Sequence, residues 1–441
     1  MTSSLAISPL RALLALGTAL ALCGSAAWAH QDAAGTKVAH GAQAATAPAG
    51  GGARPAPARK PRPQLGSGVA FAPDGALWLA GVDLQGRMFV QSAPVPAEGG
   101  WRWTPPRILD TGGDAISADG ENRPKLVFGP QGTVLVAYTQ PLAKPNTGYV
   151  RLLRSTDGGK TFAAPVTVHA DRQVITHRFE SLGFDAKGVL HTVWIDKRDL
   201  EAAPKVGNKP NYRGAAIYRN TSSDGGATFG PDIKVADHSC ECCRIALGQG
   251  ADGELRAMWR HVFQPNVRDH AIAVLRAGTP GAAAPGVATP GEPVRATFDD
   301  WRVDACPHHG PGLAAAEDGF HTVWFGIRQQ GEEKVAGVRY GRLQADGTPR
   351  PDTVRMLPDD RAEHADVAAQ GQRVAVVWRS TDGMTSTLKA WLSADGGQTF
   401  QVRTLDSVQG ENDFPRLVQS GQRMVVVWRN AEEVKVHDIR F

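Results

Sequence analysis

An octapeptide of the form Ser-x-Asp-Gly-Gly-x-Thr-Phe occurs three times, at 155–162, 222–229 and 393–400. Each copy lies between β-rich segments and reads as a tight hairpin. The paired glycines accept positive φ, the Asp carboxylate caps the turn's own amides, and Thr and Phe begin the return strand. Recurring hairpins of one kind imply a repeated supersecondary unit.

That unit runs along most of the chain: an apolar strand, a Gly turn, then a strand ending in an aromatic residue. Copies end at Tyr138, Trp194, Trp259, Trp324, Trp378 and Trp428, and a less regular copy spans Val69–Phe71 and Ala76–Ala80. Successive aromatics fall about 50 to 65 residues apart, the period of one propeller blade. The fold class is therefore all-β, a β-propeller of four-stranded blades over 65–441. The count of copies favours seven blades. The last copy lacks its own outer strand, and a strand near Arg59–Leu65 is expected to complete it and close the ring.

The octapeptides and the repeat resemble the Asp-box (BNR) repeat of the sialidase-like β-propellers, and the resemblance covers 65–441. It implies boxes on the outer hairpins, away from the central mouth, and six blades as the alternative count. It also implies, as one functional reading, an exo-α-sialidase: a glycoside hydrolase with an arginine triad gripping the substrate carboxylate, a Tyr nucleophile assisted by Glu, and an Asp acid/base. Carried onto this chain, those roles fall to Arg123, Arg178, Arg244 and Arg416, to Tyr340 with Glu180, and to Asp413. The chain departs from the family's Phe/Tyr-Arg-Ile/Leu-Pro motif, keeping Asn122-Arg123-Pro124, and it has five tyrosines in all.

The first residues read as an export signal over 1–29. Arg11 precedes the apolar run Ala12–Cys23, and Ala27-Trp28-Ala29 is a small-x-small cleavage site. Lipidation at Cys23 is the alternative, with Leu22 a poor residue before it. Residues 30–64 are Ala, Gly, Pro, Lys and Arg with almost no large apolar side chains, a composition expected of a disordered tether. The product is expected in the periplasm or secreted, without a transmembrane segment. A net charge of +4 is too small to argue for nucleic acid.

Aligning the repeats puts one segment of each copy at the start of the innermost strand, on one face around the axis. These are Glu121–Arg123, His177–Glu180, Cys240–Arg244, Cys306–Gly310, Glu363-His364 and Glu411–Asp413. All four cysteines left after cleavage fall in two of them, in consecutive repeats. Thiolate and imidazole together suit Cu(I) or Zn(II), and soft sulfur favours copper, with zinc the alternative. The candidate ligands are Cys242, Cys243, Cys306 and His309, with Cys240, His308, His177 and His364 in reserve. His30, the expected new N-terminus, is a minor copper-chelating candidate. His191 and His321, at matching strand positions, read as packed residues. Four exported cysteines also form an even set, so structural disulfides remain an equal reading, although the adjacent pair Cys242-Cys243 bridges only with strain. The mouth is thus expected to hold a metal ion or small ligand, and an envelope protein docking on a non-catalytic platform is a third class of partner.

Overall fold

The computed structural model describes residues 63–98, 100–276 and 293–441. The expectations for the export signal, Cys23, His30 and most of the tether lie outside those residues.

Seven antiparallel sheets follow one another along the chain, and each has its strands in sequence order from the inside out. Their innermost strands are Gly68–Phe71, Lys125–Phe128, His177–Phe184, Ala246–Gln249, Gly312–Ala316, Ala362–Gln370 and Arg416–Ser420, numbered here as blades 1 to 7. Six blades have four strands and blade 7 has three. The expected count of seven therefore holds, and six does not. The second strands carry the apolar runs: Val134–Tyr138, Val374–Trp378 and Val425–Val427 are almost wholly buried, because both faces pack against neighbouring sheets.

The octapeptides form the hairpins between third and fourth strands. In each, the Asp accepts from the Thr amide and hydroxyl, as Asp157 does from Thr161, and the Ser hydroxyl accepts from the second glycine's amide (2.9 Å at Gly159). Those second glycines leave no room for a side chain. A Cβ on Gly159 would stand 2.8 Å from Trp78 of blade 1, and one on Gly397 would stand 2.0 Å from Tyr340 of blade 5. Each box thus presses its blade onto the preceding one, and this role needs glycine at a positive φ (84° and 87°).

Most of the expected closing strand, residues 59–62, lies outside the described residues, and closure is seen from residue 63 onward. Residues 63–67 carry no strand. Gln64 already anchors the domain, accepting from the Ala118 amide through its side chain, and the Gly66 amide donates to Ala118 O. The Ser67 amide donates to Asp413 of blade 7 at 3.0 Å, and Arg429 reaches Leu65 O and Val82 O. Blades 1 and 7 then close through Leu77, Leu79, Phe89, Val425 and Val427.

Antiparallel order places two kinds of loop on the same face: those leading into innermost strands and those joining second to third strands. The octapeptide hairpins lie on the opposite face. On the face of the lead-in loops, blade 3 carries a long insertion between its second and third strands, 197–214, with a short helix at Arg198–Ala202 and a hairpin pairing Lys205–Val206 with Lys209–Pro210.

Candidate metal centre

The segment leading into blade 4 folds Cys240, Cys242 and Cys243 back on one another. Their sulfurs form a near-equilateral triangle with edges of 3.7, 3.8 and 4.0 Å. All three residues are buried, at 1%, 7% and 2% exposure. A disulfide holds its sulfurs near 2.05 Å, so these are free thiols. For a triangle of this size the centre lies about 2.2 Å from each sulfur, close to the ~2.3 Å of a zinc–thiolate bond. Among the described residues this is the one group of three or more ligating side chains whose donor atoms all lie within 4.8 Å of one another.

Cys306, from the loop leading into blade 5, is exposed, and its sulfur lies outside the three-sulfur group. The surroundings favour one charge in the cluster. The sulfurs of Cys242 and Cys243 lie 3.7 and 3.8 Å from that of Cys240, and Arg268 Nη1 stands 3.5 Å from it. Together they hold Cys240 well below the usual thiol range. Cys242 is pushed well up by its hydrogen bonds to the other thiols and by burial, Cys243 by burial above all, and Cys306 up to about 12 by Cys240. Metal uptake would displace the remaining protons.

Blade 4 also breaks a packing rule that the other blades keep. The aromatic ending each second strand normally donates to an Asp: Tyr138 to Asp114, Trp194 to Asp196, Trp324 to Asp299, Trp378 to Asp359, and Trp428 to the carbonyl of Asp413. Trp259 Nε1, 1% exposed and in the same buried cluster as the three cysteines, has no hydrogen-bond partner among the described residues. The chain gives up a buried hydrogen bond beside the thiols.

The two cysteine-bearing segments are held together by a carboxylate from across the ring. Glu121 Oε2 accepts from the amides of both Arg244 and Gly310, each at 2.9 Å. Its Oε1 lies 2.6 Å from Arg244 Nη1 and 3.2 Å from His364 Nδ1. Burial opposes its charge, but Arg244 and His364 outweigh that and keep the carboxyl well below its usual range. Sequence reasoning placed Glu121 on the rim without a role. Its position four residues before the strand Lys125–Phe128 carried no hint of three partners in three other blades.

The remaining rim residues are committed elsewhere. His309 stacks between Phe325 and His364, with ring centroids 4.4 Å from each, and His364 stacks on Phe414. This column fills the axis, and burial depresses both imidazoles. Neither His309 nor the exposed His308 joins the sulfur group. His177 stacks on His169 and faces Asp171 and Asp196.

Each arginine named for substrate binding already meets a carboxylate. Arg123 pairs with Asp413 at 3.2 Å, Arg244 with Glu121, Arg416 with Asp366 at 3.0 Å, and Arg178 with Asp119 at 3.9 Å. Asp413 is buried, which raises its pKa, and it also takes the Ser67 amide. Glu180 is buried and takes the Thr139 hydroxyl. Tyr340 lies away from the mouth in the third strand of blade 5, fully buried and hydrogen-bonded to His321 beneath the blade 6 octapeptide.

Fold and site together define a seven-bladed β-propeller with a cluster of four thiols on one face. No protein-family model matches the chain, and no curated protein matches it. Among solved structures it is similar to a polysaccharide lyase, an ulvan lyase (10% identity, 85% of this chain and 94% of that one, TM-score 0.49). It is also similar to the intramolecular trans-sialidase from Ruminococcus gnavus (11%, 74% and 94%, 0.48) and to YCF48 bound to D1 peptide (16%, 86% and 93%, 0.47). Sialidase-like and glycosidase propellers thus stand among the structural neighbours. At these identities no activity carries over.

Proposed function

We propose that this protein binds a soft transition metal, most readily Cu(I), through Cys240, Cys242 and Cys243, and serves metal handling in the cell envelope. The sulfur triangle carries the reading. Three thiolates from a four-residue stretch match a three-coordinate soft ion, whereas zinc completes a tetrahedron and requires a fourth donor. Cys306 is the nearest sulfur for that purpose. Export, read from residues 1–29, supplies the compartment. The sialidase reading gains nothing from the mouth, since its arginines are paired and its tyrosine lies elsewhere.

Anaerobic titration of the purified protein with Cu(I) tests this directly. One ion per chain is expected, with uptake abolished by Cys242→Ser together with Cys243→Ser. A protein recovered with its thiols bridged, and taking up no metal after reduction, would establish the structural-disulfide reading instead.

A further inference from the structure

The four sulfurs are not equivalent. Three belong to one short segment and are buried, while Cys306 arrives from the next blade, is exposed, and is near enough to Cys240 for its thiol to be pushed up by it. Its sulfur lies outside the compact three-donor group. Nor is its placement loose. Gly310, four residues on, is pinned to the same carboxylate oxygen of Glu121 that pins Arg244, the residue after Cys243.

We propose that Cys306 is an exchange thiol, through which Cu(I) passes between the buried three-sulfur site and an external thiolate carrier. The inference rests on the reading that Cys240, Cys242 and Cys243 hold the ion. A buried three-coordinate ion offers no face to a bulky incoming ligand. A d10 ion exchanges thiolates by adding a sulfur before losing one, so a fourth sulfur at the lip supplies the first step. The Cu–S bond to Cys306 forms as that to Cys242 or Cys243 breaks, and the Cys306 proton moves to the departing sulfur. The carrier's thiolate then replaces a second protein ligand in the same way. Copper stays Cu(I) throughout, and no electrons are exchanged.

The geometry also assigns a direction within the cluster. Cys240 is the sulfur against Arg268, whose guanidinium is buried beside it. That fixed positive charge favours keeping Cys240 as the retained thiolate. Cys242, 3.7 Å from Cys240, and Cys306, in the adjacent lead-in, are placed to trade the ion around it. Lys197, at the start of the blade 3 insertion, pairs with Glu241 inside the cysteine segment, while Cys306 is exposed.

The test loads the purified protein from Cu(I)–glutathione and follows removal by bathocuproinedisulfonate in a stopped-flow spectrometer. Wild type, Cys306→Ser and Cys306→Ala are compared, together with loaded wild type alkylated by iodoacetamide at its exposed thiol. The expected result is one copper per chain in all four, with transfer slowed about tenfold or more in the three lacking a free Cys306 thiol. Unchanged transfer rates would overturn the proposal. Loss of uptake in both Cys306 variants would also overturn it, by making Cys306 an obligatory ligand. If wild type itself takes up no copper, the metal-binding reading fails first and this one falls with it.

Discussion

Glu121, at the lead-in to blade 2, and Arg244, directly after the cysteines of blade 4, form a buried ion pair with 2.6 Å between Oε1 and Nη1. The same carboxylate takes the amides of Arg244 and Gly310 and faces His364. One side chain therefore registers three other blades against its own. Replacing it by alanine strands a buried guanidinium and two amides. Glu121→Ala is expected to cost about 3–5 kcal/mol in urea denaturation. A loss below about 1 kcal/mol would show the pair to be solvated instead.

Acid should destabilise the fold well before its carboxylates titrate. Burial lowers His169 to about 2, His261 to about 3 and His321 to about 4. Their unfolded value is about 6.5. Because the folded values are depressed, the stability they contribute is complete above that value and is lost as pH falls toward the folded ones. Near pH 5 each contributes about 1.4 kcal/mol per pH unit to the slope. Urea midpoints at pH 7 and pH 5 measure this, and equal midpoints would contradict the neutral, buried assignment.

The octapeptide glycines separate two effects. A Cβ on Gly158 (φ 72°) meets nothing within 4 Å among the described residues, so Gly158→Ala should cost only the left-handed backbone, about 1–2 kcal/mol. Gly397→Ala adds a collision with the Tyr340 hydroxyl and should cost a further ~1–3 kcal/mol. Equal losses would mean that the box does not clamp blade 6 to blade 5.

Fluorogenic sialosides provide a fourth check. With Arg123, Arg244 and Arg416 committed to Asp413, Glu121 and Asp366, no turnover is expected from acidic to neutral pH. Turnover abolished by Arg244→Lys would require those pairs to open for substrate.

The repeat phase made a good part of this legible in advance. Aromatic strand ends at regular spacing imply seven blades, and the octapeptides mark outer hairpins. The same phase puts Cys240–Cys243 and Cys306 on one face in consecutive repeats, because it reports height and side around the axis. It does not report what crosses the axis. The partners of Glu121 lie 123 to 243 residues away, and their choice depends on rotamers in a filled centre. His309 faced such a choice too, and its ring went to the aromatic column between Phe325 and His364. Tyr340 falls on a strand in either reading, but only the structure shows Gly397 pressing on its hydroxyl.

Copper K-edge X-ray absorption on protein loaded anaerobically with one equivalent of Cu(I) tests the central claim most directly. Three sulfur neighbours at about 2.2–2.3 Å, lost in Cys242→Ser with Cys243→Ser, are the expected result. A first shell of nitrogen or oxygen, or copper that washes away from the unmodified protein, would contradict it.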